Sequence, residues 1–133
     1  MVIFENQFIS MDFDENKNLF IEDWKPTSED MTNEDWKETR IELMNACLKY
    51  KFDKILSLGN SFYFIIIPEL QKWLAETISP KINHLVEKVA ITIPPEMFAH
   101  ISVEQLMEED ETSKVSSQYF DNKDNAINWL IEK

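Results

Sequence analysis

The chain has 133 residues, enough for one domain with one sizeable core. Its 44% hydrophobic content, with nine Phe, four Trp and three Tyr, excludes a disordered polymer despite 29% charged residues. Thirteen bases against twenty-five acids give a net charge of -12, which repels a nucleic-acid backbone or an anionic membrane surface, and no Lys/Arg cluster offsets it.

The N-terminal stretch lacks the basic start and long apolar run of a signal peptide. Acid is concentrated early: residues 1–38 hold three bases and eleven acids, a solvated face or a docking face for a basic partner. Phe8 to Asp14 alternates, with Ile9, Met11 and Phe13 on one side, which predicts a half-buried strand. A polar turn over 15–18 leads to a second strand, Leu19 to Trp24, so the two form a hairpin. Lys25 to Met31 is a polar loop containing Pro26. Thr32, with Asp35 three residues on, predicts a capped helix start. Trp36, Arg40, Leu43, Met44, Cys47 and Leu48 then fall on one helical stripe, ending near Tyr50.

Lys54 to Leu58 is a short apolar strand closed by Gly59 and Asn60. Ser61 to Ile67 is either an inward-packed loop or an extended lead into the next helix; its six-residue apolar run is too short to span a bilayer. Pro68 suits the first position of that helix, whose stripe is Leu70, Trp73, Leu74, Thr77 and Ile78, and Pro80 bends or ends it. Val89 to Ile93 has the β-branched pattern of a strand covered on both faces. Glu96 to about Glu109 predicts a helix, broken if Ser102-Val103-Glu104-Gln105 is an internal capping box, with Glu108 to Glu111 as its exposed end. Val115 to Phe120 is the last strand, and Asp121 caps a final helix. The order ββαβαβαβα predicts one α/β domain over 1–133, built on a small, mostly parallel sheet with right-handed crossovers.

A single glycine cannot write a Rossmann or Walker phosphate loop, nor a nucleophile elbow. His84, His100 and Cys47 are too few and too scattered for a transition-metal site, and Glu108 to Glu111 lacks the glycine and alternation of a calcium loop. Cys47 lies on an apolar stripe and is core packing rather than a nucleophile; one cysteine without an internal partner suits a reducing cytoplasm. No catalytic, cofactor-binding or metal-binding residue is assigned. Asn60 and Ser61 follow a strand at its C-terminal end, where ligands gather in open parallel sheets. Phe62, Tyr63 and Phe64 line an apolar pocket, meet a partner or pack in the core.

The stretch Ile55 to Phe62, with Ile67-Pro68-Glu69-Leu70-Gln71-Lys72-Trp73, resembles the strand-to-helix segment of small SpoIIAA-like proteins of the STAS (anti-sigma-factor-antagonist) superfamily. Val89 to Phe98, Ser102 to Gln105, and Tyr119-Phe120-Asp121 with Ala126, Trp129 and Leu130 extend the resemblance over most of the chain after residue 50. It implies a STAS-like fold, with helices mainly on one side of the sheet, and a non-enzymatic regulatory role. The phospho-switched members carry a Ser or Thr just before their second helix. Ile65-Ile66-Ile67 stands there in this chain, so the switch hydroxyl is missing. The expectation is a cytoplasmic protein-interaction module whose contact face is Asn60, Ser61, Phe62, Tyr63 and Phe64, with a homodimer possible through an uncovered sheet edge. The alternative is a carrier or sensor of a small apolar, lipid-like ligand.

Overall fold

The computed structural model describes residues 1–98, 107–109 and 115–132. The strands are β1 (Val2–Glu5), β2 (Ile9–Asp14), β3 (Leu19–Trp24), β4 (Lys54–Leu58), β5 (Lys88–Thr92), β6 (Met107–Glu109) and β7 (Ser116–Phe120). The helices are α1 (Asn33–Tyr50), α2 (Pro68–Trp73), α3 (Ser79–Ile82), α4 (Pro95–Phe98) and α5 (Lys123–Ile131). One seven-stranded sheet runs in the order β1-β2-β3-β4-β5-β7-β6. β3, β4, β5 and β7 are parallel neighbours, and β1, β2 and β6 join by antiparallel pairing.

The predicted hairpin is β2–β3, with Ile9 opposite Trp24 and Asp14 opposite Leu19. β1 adds to the outer edge of this hairpin through an irregular register. The loop before α1 contains a 3-10 turn, Pro26–Asp30, that buries Ser28 completely. α1 starts at the predicted cap: Asp35 N donates to Thr32 Oγ1 at 3.1 Å and Thr32 N donates to Asp35 Oδ2 at 2.9 Å. It ends at Lys51 in the left-handed conformation, φ 54°. Its buried stripe is Trp36, Thr39, Arg40, Leu43, Ala46 and Cys47; Leu48, predicted on that stripe, lies at its flank and is 42% exposed.

The second helical stretch is continuous from Pro68 to Ile82 but changes pitch. α2 passes into a π-helical turn, Leu74–Ile78, and then into α3. Leu70, Ile78, Ile82 and Val86 are buried and Leu74 is partly buried, a spacing of four residues throughout. An α-helix turns about 100° per residue, so a four-residue spacing drifts by about 40° at each step. The wider π turn takes up part of that drift, with Ser79 N donating to Leu74 O. The predicted inward position of Thr77 is lost for the same reason, and Thr77 is exposed. Pro80 has no N–H to give the preceding turn, which favours the change of pitch there.

Two corrections fall in the C-terminal part. The helix predicted over 96–109 is helical only at Pro95–Phe98 among the described residues, and Met107–Glu109 is a strand antiparallel to β7. Non-local pairing with Ser116 to Gln118 overrides the local helical pattern, and Glu108 and Glu109 are edge-strand residues rather than a helix end. His100, the Ser102 to Gln105 box and Glu111 lie outside the described residues. The cap of α5 is Asn122, whose side chain accepts from Asn125 N at 2.8 Å, while Asp121 Oδ1 accepts from Asn122 Nδ2 at 3.0 Å.

The strand period splits the core in two. Phe20, Ile55 and Val89 face α1, α2 and α3; Leu19, Leu56, Ala90 and Phe120 face α5 through Ala126 and Leu130. Parallel strands that step one way across the sheet with right-handed crossovers put α1 and α2 on one face. α5, after the last strand, covers the other, so β5 is covered on both faces as its composition predicts.

Gly59 closes β4. Its N–H donates to Thr92 O at 3.0 Å, and a Cβ at this position would stand 2.7 Å from that same oxygen. Two backbones meet where no side chain fits. Gly59→Ala should therefore cost about 1–3 kcal/mol, read as a lower urea midpoint with an unchanged m-value; an unaltered midpoint would show that the two strand ends separate freely.

Candidate functional site

Between the sheet and the α1/α2/α3 layer lies a cavity of about 570 Å³. A row across the sheet forms its floor. Glu22 on β3 is in register with Ser57 on β4, Ser57 with Ile91 on β5, and Ile91 with Tyr119 on β7. All four line the cavity, as do Ile55, Val89 and Ser117 of the neighbouring row. The roof is Trp36, Arg40 and Leu43 from α1, Leu74 and Ile78 from the π turn, and Ile82 from α3. Gly59, Asn60, Phe62, Tyr63 and Ile66 close one side, and Ile93, Pro94 and Met97 add to the rim.

One ion pair stands in this apolar wall. Arg40 Nη2 donates to Glu22 Oε2 at 2.7 Å and Nη1 to Oε1 at 3.3 Å. The residues are 3% and 8% exposed, so the pair is bidentate and nearly dry. Arg40 Nε donates to Thr39 Oγ1 at 3.1 Å, and Thr39 Oγ1 donates to Trp36 O at 2.6 Å. The guanidinium sits 5.0 Å from the Trp24 ring centroid, and Trp24 Nε1 donates to Ser57 Oγ at 3.3 Å. The pair is legible in hindsight. Glu22 occupies an inward position of an alternating strand, and Arg40 the inward stripe of a helix. Two opposite charges at apolar positions call for each other.

Among the described residues the segment 62–67 pairs with no strand, yet its burial alternates from Phe62 to Ile66. Phe62, Phe64 and Ile66 pack on the core; Tyr63 and Ile65 are 55% and 78% exposed. Phe62 meets Trp24 edge-on at 4.6 Å, and Phe64 stacks on Trp36 at 6.4 Å. One buried hydroxyl holds the segment: Ser28 Oγ donates to Ser61 O and accepts from Tyr63 N, both at 2.9 Å. Asn60 is exposed, with its Oδ1 accepting from Thr92 Oγ1 at 2.6 Å. Of the five residues singled out as a contact face, the structure brings Asn60, Phe62 and Tyr63 to the cavity wall, turns Phe64 into the core and leaves Ser61 as a partly buried anchor of the segment.

Comparison of the chain with protein-family models, curated proteins and solved structures finds no match in any of the three, so none identifies a SpoIIAA-like or STAS relative. Among the described residues no group of three His, Cys, Asp or Glu could hold a metal ion, and no helix is long and apolar enough to cross a membrane.

Cys47 is fully buried beside Phe52, away from the cavity lining. Burial pushes its thiol up to about 11 from 9.0, with the nearby Lys51 charge pulling the other way. Between those values the unfolded chain sheds a proton that the folded chain keeps, so the thiol's contribution is intact below pH 9 and fades as pH rises towards 11. Wild type should lose more stability than Cys47→Ala across that interval in urea titrations; parallel losses would mean that the thiol ionises in the fold.

Proposed function

We propose that the chain is a non-enzymatic binding module that takes a small, largely apolar molecule into the cavity between its sheet and the α1/α2/α3 layer. The observation that carries this reading is the cavity itself. At about 570 Å³ it falls in the range of small-molecule sites, and aromatic and aliphatic side chains dominate its lining. The carboxylate and guanidinium in its wall are committed to each other at 2.7 Å, an arrangement that suits orientation of a ligand better than proton transfer.

Trp24 and Trp36 line the cavity and report on its contents. Titration with 1-decanol should change tryptophan fluorescence saturably and raise the melting temperature. Ile91→Trp, which fills the floor, should abolish both effects while the variant stays folded. A wild-type protein whose fluorescence and melting temperature ignore the alcohol would end this reading.

A second reading keeps the STAS-like, protein-binding role. Four parallel strands following one another across the sheet in chain order support the fold. Tyr63 and Ile65, side by side on the outer face of the 62–67 segment, support a contact surface. The surface variant is then Tyr63→Ala with Ile65→Ser, since Phe62 and Phe64 are core. Affinity capture should retain a partner on wild type and lose it on this variant; equal capture by both would remove the segment from any interface.

A further inference from the structure

We infer that the ligand carries a neutral oxygen head group, a hydroxyl or a carbonyl, seated where Glu22, Arg40 and Ser57 meet. This rests on the cavity being a ligand site and goes on to say what the site selects. Each Glu22 carboxylate oxygen holds one Arg40 nitrogen, at 2.7 and 3.3 Å, and Arg40 Nε is held by Thr39 Oγ1 at 3.1 Å. The Trp24 ring covers the guanidinium at 5.0 Å. An anionic head could reach the guanidinium N–H groups that Glu22 and Thr39 leave over only by standing beside the Glu22 carboxylate, and in a nearly dry wall two adjacent negative charges repel. A cationic head would stand against the guanidinium with the same like-charge penalty. The net charge of -12 adds to the penalty on anions.

A neutral head splits nothing. Ser57 lies in register with Glu22, so its hydroxyl opens onto the same end of the cavity. That oxygen accepts from Trp24 Nε1 at 3.3 Å, which leaves its own proton to donate. An alcohol or carbonyl oxygen can take this proton, and an alcohol can also donate to a free lone pair of Glu22. The apolar body then lies along Ile91 and Val89 beneath Leu74 and Ile78.

The test uses three probes of one chain length, 1-decanol, decanoate and decylammonium, titrated against tryptophan fluorescence near neutral pH. The alcohol should bind at least about tenfold more tightly than either ion. Simple partitioning also favours the alcohol, so the Glu22→Gln variant decides. With Arg40 released, decanoate affinity should rise about tenfold over wild type, so that the preference for the alcohol narrows. If that variant does not fold, Ser57→Ala serves instead and should weaken decanol about fivefold or more. Decanoate or decylammonium binding wild type as tightly as decanol would overturn the neutral-head inference and leave the cavity reading standing. So would a Glu22→Gln protein with unchanged decanoate affinity, or a Ser57→Ala protein with unchanged decanol affinity. Failure of all three probes to bind would overturn both.

Discussion

The ion pair between Glu22 and Arg40 sets the terms for everything around it. They are the two charged side chains that are buried among the described residues, and they join β3 to α1 across the interior. Removing one partner from such a pair costs about 3–5 kcal/mol, because the other is left charged in a medium that cannot solvate it. The pair therefore fixes the distance between helix and sheet more strictly than contact between two apolar faces would. Trp36 and Thr39 on the same helix, and Trp24 on the same strand, inherit their positions from it. The space beside them is left open because the spacing of helix and sheet is set at one end.

At the other end the roof is shaped by Leu74, Ile78 and Ile82, which continue a four-residue beat begun at Leu70. A regular α-helix would carry these side chains progressively round the axis and away from the sheet. The π turn keeps them facing inward at the expense of regular hydrogen bonding. Leu74 and Ile78, the first and last residues of that turn, both line the cavity. The irregular turn and the open volume thus occupy the same stretch of structure, an association common for π turns at working sites.

Much of the fold could be read in the sequence because its signals are local. Alternation marked β2, the Thr32 and Asp35 box marked the start of α1, Pro68 marked α2, and the β-branched run marked a doubly covered β5. The losses have a common physical cause. β6 exists only because β7 is there to pair with it, so a helical pattern in 96–109 could not reveal a strand at 107–109. Asn122 and Asp121 are both competent caps, and only the backbone geometry chooses between them. The apolar run of 62–67 does not by itself choose between core and surface, and its alternation makes it both. The cavity could not be read at all, since a void is a property of where stripes fail to meet and no single stripe encodes it. Arg40 stands on an apolar helical stripe, and its partner Glu22 lies eighteen residues earlier on a strand, a separation that no local pattern spans.

The segment that closes one side of the cavity is held differently from the rest of the wall. β4 and β5 are locked into ladders on both sides, whereas 62–67 is fastened to the 3-10 turn chiefly through two hydrogen bonds to the single hydroxyl of Ser28. Local opening follows the weakest set of bonds, and releasing this strap exposes Phe62 and Phe64 without disturbing any strand pairing. On the proposed reading, entry and exit are thereby separated from unfolding. A guest's residence time then follows the lifetime of this strap's contacts, a property that can change while the stability of the domain stays the same.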